Sequence, residues 1–212
     1  MAINEGLAIF VKIFNMTLKS IALVFATQNK NKAYEIQGLL PSHVIVKTLQ
    51  DIGCDDDIPE DQPDLAGNAL QKARYIYEKF NVNCFADDTG LEIEALNGEP
   101  GVYSARYAGE EKDSEKNMDL VLEKLKNHSN RKAQFRTAIA LILDGEEYVF
   151  EGTVKGEIRH ERSGEKGFGY DPIFEPENYG KTFAEMSLEE KNERSHRGRA
   201  IEKLSVFLNK QL

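Results

Sequence analysis

The sequence is poor in cysteine, with only Cys54 and Cys84 among its 212 residues. Two cysteines do not make a disulfide framework, and they lack the CxxC or cysteine–histidine spacing of a zinc site. Unpaired thiols are typical of reducing compartments. We therefore expect two free thiols and a cytoplasmic location.

Long apolar runs are also missing. The run at residues 7–14 is interrupted by Lys12 and is too short to span a bilayer. The same region lacks the basic n-region and the small-residue cleavage site of a secretory signal. We expect no membrane partner, and we interpret residues 1–19 as a non-targeting extension, with Met16 as a candidate start.

Positive charge is in deficit, since 27 lysines and arginines face 36 aspartates and glutamates, which gives a net charge of -9 at pH 7. Nucleic-acid phosphates would be repelled, so we expect no nucleic-acid partner. A small phosphorylated substrate remains compatible with this charge, because local basic groups and a divalent cation reverse the field inside one cleft.

Several signatures of known chemistry are absent. The chain has no GxSxG nucleophile elbow and no GxGxxG dinucleotide loop. The segment TQNKNK at residues 27–32 lacks the glycines of a Walker A loop. The sequence therefore indicates neither a serine hydrolase, nor a Rossmann dinucleotide site, nor a P-loop.

What the sequence does have is a hydrophobic content of 41%, enough for a core of normal size, without internal repeats or linkers. Strand-length apolar runs are interspersed with stretches of helical apolar spacing. The Asp144-Gly145 pair predicts a hairpin, which argues against a purely parallel sheet. We therefore predict an α/β fold with a mixed sheet, formed by one domain over residues 20–212. The predicted strands are 20–26, 44–47, 84–86, 91–95, 133–143 and 147–160; the predicted helices are 30–40, 65–80, 114–126 and 197–208, with Ser114 and Ser195 as caps.

Residues 27–32 follow a buried strand pattern and open a helix. Backbone N–H groups at such a helix start favour an anion, and Lys30 and Lys32 add positive charge. Asn29 is suited to a phosphate or a base edge. The alternative is an ordinary capped and solvated helix start. The residues of this candidate phosphate segment are Thr27, Gln28, Asn29, Lys30, Asn31 and Lys32.

Acidic residues cluster in two places. Residues 55–61 form an acidic loop, and the pair Asp87 and Asp88 directly follows a strand pattern. Mg²⁺ prefers carboxylate oxygens, and adjacent acids repel each other unless a cation or a base partner offsets the cost. One acid of the pair is also a candidate general base for a water. The alternatives are a solvated acidic loop and a turn over residues 87–90.

Two later segments offer groups for a planar base. In residues 167–172 the glycines permit close backbone approach, Phe168 suits stacking, and Asp171 suits a base N–H. The alternative is a tight turn with a packed aromatic ring. Near the C-terminus, three residues are suited to phosphate or to base carbonyl groups: Lys191, His196 and Arg197. The alternative is a charged helix start.

Carboxylates for a cation and lysines for phosphate favour metal-assisted hydrolysis of a phosphate ester or anhydride. The strings ADDTGL at 86–91, PGVYSARYAG at 100–109, GFGYDPIF at 167–174 and SHRG at 195–198 occur in this order. Over residues 21–208, the chain resembles the inosine triphosphate pyrophosphatase family.

That resemblance implies an elongated mixed sheet whose two lobes surround a central cleft. It implies hydrolysis of non-standard purine nucleoside triphosphates, such as ITP, dITP and XTP, to the monophosphate and pyrophosphate. It also implies dependence on Mg²⁺ and a homodimer.

The resemblance further implies roles for individual residues. Glu60 and Asp88 would bind the metal, and Asp88 would also be the catalytic general base, with Asp87 as its partner. Residues 27–32 would hold the triphosphate, chiefly through Lys32. The other implied substrate-binding residues are Thr89, Phe168, Gly169, Tyr170, Asp171, Lys191, His196 and Arg197, with Arg106 as a further candidate.

Two other functions stay open from the sequence. A pyrophosphatase for modified pyrimidine triphosphates would use a related cleft, and a nucleotide sensor would keep the pocket without turnover. His196, Arg197 and the Phe168 ring favour a purine over a pyrimidine. The donors of His196 and Arg197 favour a 6-oxo group, because the 6-amino group of adenine leaves them unpaired at a cost of about 1–3 kcal/mol each. The presence of the acidic residues disfavours a sensor.

Overall fold

The structure, a computed structural model, describes residues 20–36 and 38–211, so the predicted extension at residues 1–19 lies outside the described residues. The strands are β1 Ile21–Phe25, β2 Val44–Lys47, β3 Cys84–Ile93, β4 Lys132–Leu143, β5 Glu146–Ile158 and β6 Phe174–Pro176. The helices are α1 Lys30–Ile36, α2 Leu65–Phe80, α3 Ser114–Lys124, α4 Leu188–Arg194 and α5 His196–Leu208.

The six strands form one sheet in the order β2-β1-β3-β4-β5-β6. β1 runs parallel to β2 and β3, and the remaining neighbours are antiparallel. The predicted α/β class with a mixed sheet is confirmed. In the part of the chain that the structure describes, no helix is long and apolar enough to cross a membrane.

β4 and β5 form the predicted hairpin. Leu143 pairs with Glu146 across the turn. Asp144 and Gly145 between them have φ angles of 52° and 89°. Positive φ at both central residues is typical of the tight turn that matches the twist of two antiparallel strands, so the Asp-Gly signal is explained.

β3 continues without a break through residues 87–90, so the turn predicted there is wrong, and the strands predicted at 84–86 and 91–95 are one strand. Glycine is needed at position 90 for a reason other than a turn, because a Cβ there would lie 2.6 Å from the carbonyl oxygen of Gly101. The backbone around Gly101 therefore packs directly against β3. This places Asp87 and Asp88 within the sheet instead of on a loop.

Helix boundaries also differ from the prediction. α1 ends at Ile36, and Gly38 beyond it has a φ of 85°, a conformation that commonly ends helices. The cap of α3 is Asp113, whose carboxylate accepts two of the first helical N–H groups, and not Ser114. The predicted cap of α5, Ser195, is confirmed. β6 and α4 were not predicted, because both are short and lie in glycine-rich or polar sequence.

Two helices cover opposite faces of the sheet. α2 packs against the β3 face that carries Cys84 and Ala86, whereas α5 packs against the face that carries Phe85. A third apolar cluster surrounds Phe135 and includes the far end of β3 from Leu91 onward. The polar centre of β3 therefore lies between three apolar cores.

Candidate active site

Asp87 and Asp88 point to opposite faces of the sheet because successive residues of a strand alternate. Asp87 contacts side chains of α1 and α5, and Asp88 contacts side chains of α2. Both residues are buried, with 1% and 9% exposure respectively. Two chemically identical side chains, adjacent in sequence, therefore have different surroundings.

The Asp87 carboxylate is held between two cations. Lys32 Nζ lies 3.1 Å from Oδ1, and Arg197 Nε donates to Oδ2 over 3.1 Å. Burial alone raises the pKa of Asp87, but the charges of Lys32, Arg197 and Lys72 outweigh burial and hold this pKa well below its usual range. Asp87 is therefore a fixed anion and a poor proton acceptor.

Asp88 is oriented mainly by neutral donors. Asn68 Nδ2 donates to Oδ2 over 3.0 Å, and the backbone N–H of Thr89 donates to Oδ1 over 2.9 Å. Burial raises the pKa of Asp88, and the charges of Lys72 and Lys32 oppose this effect without cancelling it. Asp88 is therefore the more basic carboxylate of the pair.

Lys72 of α2 lies between the acidic loop and β3. Its Nζ donates to Glu60 Oε1 and, over 2.8 Å, to the backbone oxygen of Asp87. Lys32 Nζ donates to the same backbone oxygen over 3.4 Å. Two ammonium groups from different helices thus converge on one carbonyl oxygen, an arrangement suited to binding several phosphate oxygens.

The two ammonium groups differ in their titration. Burial lowers the pKa of Lys32, and the nearby charges of Lys72 and Arg197 add to that effect. For Lys72, burial alone lowers the pKa, but the charges of Asp88 and Glu60 outweigh it and raise the pKa. Lys72 therefore holds its proton more strongly than Lys32 does, and its positive charge balances the charges of the carboxylates.

Glu60 and Asp88 have the chemistry of metal ligands. Glu60 Oε1 contacts Lys72 Nζ, and Asp88 Oδ1 lies 3.9 Å from the same nitrogen, so two carboxylates already converge on one cation. Within residues 20–36 and 38–211, no group of three or more Asp, Glu, His or Cys side chains forms a metal cage. Mg²⁺ is commonly held by one or two carboxylates together with substrate phosphates. The donor set fits that mode of binding.

The candidate phosphate segment caps α1 with its own side chains. Asn29 Oδ1 accepts from the backbone N–H groups of Asn31 and Lys32 over 3.0 and 3.2 Å. Thr27 Oγ1 accepts from the N–H of Asn29 over 3.2 Å. The Asn29 side chain is therefore used for capping, which gives the sequence pattern a structural reason.

The remaining residues of this segment lie at its surface. Gln28 Nε2 donates to the backbone oxygen of Asp56 over 2.7 Å and so joins the segment to the acidic loop. Lys30 is exposed, whereas Lys32 is half-buried and reaches Asp87. The two predicted lysines therefore have different surroundings, and of the two it is Lys32 that contacts the Asp87 carboxylate of β3.

Glu35 of α1 links cations from α4 and α5. Its carboxylate accepts hydrogen bonds from Lys191 Nζ and from Arg197 Nη1, and all three side chains are almost fully buried. Lys191 also donates to Asp171, and Arg197 to Asp87. A chain of alternating charges thus connects the 167–172 loop to β3 through the interior. Since removal of one buried partner strands the next charge, this chain fixes its members relative to one another.

Phe168 lies at the end of this charged chain. Lys191 Nζ is 4.9 Å from the centroid of the half-buried ring, within the range of a cation–π contact. The Phe168 backbone N–H donates to Asp171 Oδ2 over 2.8 Å, and Gly169 follows with a φ of 65°. The turn and the ion pair therefore hold the ring in one place.

Two other predicted base-site residues are buried in the protein. The Tyr170 hydroxyl donates to the backbone oxygen of Ser104 over 2.8 Å. The His196 ring stacks on Phe135, with centroids 4.5 Å apart and planes inclined by 16°. Burial and two neighbouring cations lower the pKa of His196 well below its usual value, so the ring is neutral. Its Nδ1 has no hydrogen-bond partner among the described residues.

Two further contacts tie the periphery of the site to its centre. Thr89 Oγ1 lies 2.6 Å from Oγ1 of Thr137 and accepts from Arg197 Nη2 over 3.1 Å. Arg106 Nη2 donates to the backbone oxygen of Glu60 over 3.0 Å. Arg106 therefore anchors the acidic loop, and Thr89 belongs to the Asp87 side of the site.

Comparison with known proteins shows the family of this chain. The family model described as the Ham1 family matches residues 23–207. The chain belongs to the Ham1 family. This Ham1 chain is 56% identical to the dITP/XTP pyrophosphatase of Flavobacterium johnsoniae over 186 residues, which cover 88% of this chain and 97% of that protein. It is 45% identical to the dITP/XTP pyrophosphatase of Bacillus subtilis over 189 residues, 87% of this chain and 96% of that protein.

A solved structure gives the same result for the Ham1 fold. The Ham1 protein of Staphylococcus aureus superposes with a TM-score of 0.83 at 42% identity, covering 90% of this chain and 100% of that one. The resemblance to a pyrophosphatase family, inferred from the sequence strings, is confirmed by the relatives and by the fold.

The network of this Ham1 chain contains four buried or half-buried polar residues that the sequence did not indicate as site residues: Glu35, Asn68, Lys72 and Thr137. For two of them a signal existed. Asn68 and Lys72 occupy the buried stripe of α2, where the helical spacing predicts apolar side chains. Glu35 and Thr137 lie in ordinary helix and strand patterns, and their partners come from distant segments.

Proposed function

We propose that this Ham1 protein hydrolyses non-standard purine nucleoside triphosphates, ITP, dITP and XTP, to the monophosphate and pyrophosphate. Relatives 56% and 45% identical over nearly the whole chain are dITP/XTP pyrophosphatases. The observation that carries the proposal is the difference in surroundings between the two adjacent aspartates of β3. Asp87 binds two cations, while Asp88 faces Glu60 and Lys72 with a raised pKa.

The proposed chemistry begins with Asp88. Its carboxylate accepts a proton from a water that attacks the α-phosphorus, and pyrophosphate leaves. Asn68 and the Thr89 N–H hold the carboxylate in one orientation, as positioning of the reacting groups requires. Lys32 and Lys72 bind the triphosphate oxygens and stabilise the charge on the departing pyrophosphate.

We also propose that the enzyme uses Mg²⁺. Glu60 and Asp88 would hold the ion, which when bound neutralises charge on the triphosphate. Lys72 lies between the same two carboxylates and offsets the repulsion between their negative charges. Asp87 has no part in metal binding in this proposal, because Lys32 and Arg197 occupy it.

For the base, we propose that Phe168 stacks on the purine and that Lys191 holds the edge of the pocket. His196 and Arg197 are 3% and 2% exposed, so they act from the wall behind the pocket. Arg197 already donates to Glu35, Asp87 and Thr89. The sequence assigned Asp171 to a base N–H; we propose instead that it holds Lys191 and the turn before it.

Location, oligomeric state, domain organisation and partners complete the proposal. The protein works in the cytoplasm, where nucleoside triphosphates are used, and it acts as a homodimer. The single domain has two lobes, and the cleft between them is entered at the middle of β3. Its partner in catalysis is the small-molecule substrate, without nucleic acid or membrane.

The test is pyrophosphate release from dITP, XTP, dGTP, ATP and dUTP, with and without Mg²⁺. We expect fast, Mg²⁺-dependent release from dITP and XTP and little from the others, and Asp88→Asn is the inactive control. Preference for dUTP would retain the chemistry and overturn the assignment of the base pocket. No turnover on any substrate would favour a nucleotide sensor.

A further inference from the structure

A cavity of about 580 Å³ lies apart from the active site, where β5, the segment after β6, the end of α4 and the outer side of α5 meet. The charged and aromatic side chains that line the cavity are those of Lys155, Glu177, Tyr179, Glu193, Arg194 and Arg199. None of the residues assigned above to the active site lines this cavity. Its chemistry is therefore independent of the β3 carboxylates.

Arg194 is the central group of this cavity. Its Cζ lies 4.4 Å from the centroid of Tyr179, so the guanidinium packs on the aromatic ring. Its Nε is buried and has no hydrogen-bond partner in the described part of the chain. The carboxylate that approaches it, from Glu193, is 3.4 Å from Nη1 and is itself 73% exposed. A buried donor without an acceptor is costly, so the described part of the chain leaves the Arg194 guanidinium incompletely satisfied. The side chain as a whole is 34% exposed and lines the cavity, where its charge is open to a ligand.

Two more cations line the same cavity. Arg199 Nη1 donates to the backbone oxygen of Thr153 over 2.6 Å, which holds the guanidinium in place without neutralising it. Across residues 20–36 and 38–211, neither Arg199 nor Lys155 has a carboxylate within 4.0 Å. Three cations therefore face two carboxylates, Glu177 and Glu193, on a chain whose net charge is -9. This local reversal of charge favours an anion.

We propose that this cavity is an accessory binding site for a phosphate group. Phosphate oxygens match the fork of an arginine, and two arginines together present several donors to one tetrahedral anion. The Tyr179 ring orients the Arg194 fork, and Lys155 adds a point charge. The same chemistry is offered by orthophosphate, by pyrophosphate and by the phosphate of a nucleoside monophosphate, and the experiment below separates these sources.

The test is nuclear magnetic resonance of the ¹⁵N-labelled full chain, titrated without divalent metal with orthophosphate, pyrophosphate and dIMP in turn. We expect a saturable shift of the Arg194 Nε–Hε signal and of the backbone amides of residues 153–155. Shifts with all three ligands assign the site to phosphate in general. Shifts with pyrophosphate alone or with dIMP alone assign it to that source.

Variants separate this site from general charge effects. The double variant Arg194→Ala/Arg199→Ala should raise the dissociation constant measured at residues 153–155 at least ten-fold. Arg194→Lys, which keeps the charge and loses the Nε donor, should raise the dissociation constant by a smaller factor. The control Lys126→Ala/Arg162→Ala removes two exposed positive charges elsewhere and should leave it unchanged.

Four outcomes would overturn the proposal. Three of them are unchanged affinity in the Arg194→Ala/Arg199→Ala variant, equal weakening in the control, and shifts confined to residues 27–32, 191, 196 and 197 with none at Arg194 or at 153–155. The absence of any shift with all three ligands would overturn it as well. Because binding and not turnover is measured, the result is independent of the proposed pyrophosphatase activity.

Discussion

Asn68 Nδ2 donates a hydrogen bond to Asp88 Oδ2 over 3.0 Å, while its own side-chain oxygen accepts from the backbone N–H of Gln62 over 2.9 Å. One buried amide on α2 therefore fixes both the proposed general base and the loop that carries Glu60. Asn68 therefore helps to set the distance and the orientation between Asp88 and the acidic loop, together with Lys72, which contacts Glu60 and Asp88.

Asn68→Ala should lower kcat for dITP about ten- to a hundred-fold with a smaller change in KM. The reason is that a hydrogen bond to a charged group contributes about 1.5–3 kcal/mol, and the loss falls on the orientation of the base. Gln71→Ala is the matched control, since Gln71 lies on the same helix and contacts Asp61 over 2.7 Å without touching Asp88. Steady-state kinetics that show equal kcat in both variants would contradict the positioning role.

Asp88→Asn should lower kcat by about 10²–10⁴-fold, because the amide cannot accept the proton of the attacking water. It should not lower the melting temperature at neutral pH. Burial raises the pKa of Asp88 in the folded protein, so the ionised form is disfavoured there relative to the unfolded chain, and the substitution removes that cost. Kinetics and thermal melting of the same preparation test both parts. Full activity would refute the assignment, and a large drop in melting temperature would refute the electrostatic argument.

Lys32→Ala should chiefly raise KM, by about ten- to a hundred-fold, since a charged hydrogen bond to phosphate is lost. Lys30→Ala is the control: both lysines lie in α1, but Lys30 is exposed and Lys32 reaches Asp87. The measurement is KM for dITP at saturating Mg²⁺. An unchanged KM in Lys32→Ala, or an equal rise in both variants, would count against a specific phosphate contact.

His196 should make the folded state sensitive to acid. Its pKa in the folded protein is lowered well below the usual value of about 6.5. Just below pH 6.5, His196 is therefore protonated in the unfolded chain and neutral in the folded protein. Stability is therefore fully present above pH 6.5 and falls, as pH decreases below it, by up to about 1.4 kcal/mol per pH unit from this residue.

Urea unfolding at pH 7.5 and 5.5 measures this effect. His196→Gln should reduce the pH dependence of the unfolding free energy, whereas His128→Gln, at an exposed position, should not. Identical pH dependence in the wild type and in His196→Gln would refute the assignment of the acid sensitivity to this ring.

Much of the fold could be predicted from the sequence because local signals and tertiary structure agree. The Asp144-Gly145 turn and the apolar stripe of α2 are two such cases. The prediction failed at Gly90, where a glycine was taken as a sign of a turn. The actual cause is the carbonyl oxygen of Gly101, which approaches from a segment that local sequence patterns do not connect to β3.

The candidate site was predictable to a similar extent. The residues alone pointed to the pairs Asp87/Asp88 and Lys30/Lys32, and only the family resemblance singled out Asp88 and Lys32. The role of Asn68 as a holder of Asp88 depends on a contact across 20 positions of sequence. Glu35 meets Lys191 across 156 positions, and no periodicity in either helix reports such a pairing.

The pleat of β3 also decides which aspartate faces α2, where we propose the general base. Ten consecutive residue pairs join β3 to β4, with Asp87 opposite Ile139 and Asp88 opposite Ala138. Sliding β3 by one residue along this ladder would send each carboxylate to the other side of the sheet. The residue now next to α2 would then meet Lys32 and Arg197, and its neighbour would meet Asn68. Since both residues are aspartates, strand alignment distinguishes the proposed proton acceptor from the anchor, and side-chain chemistry does not.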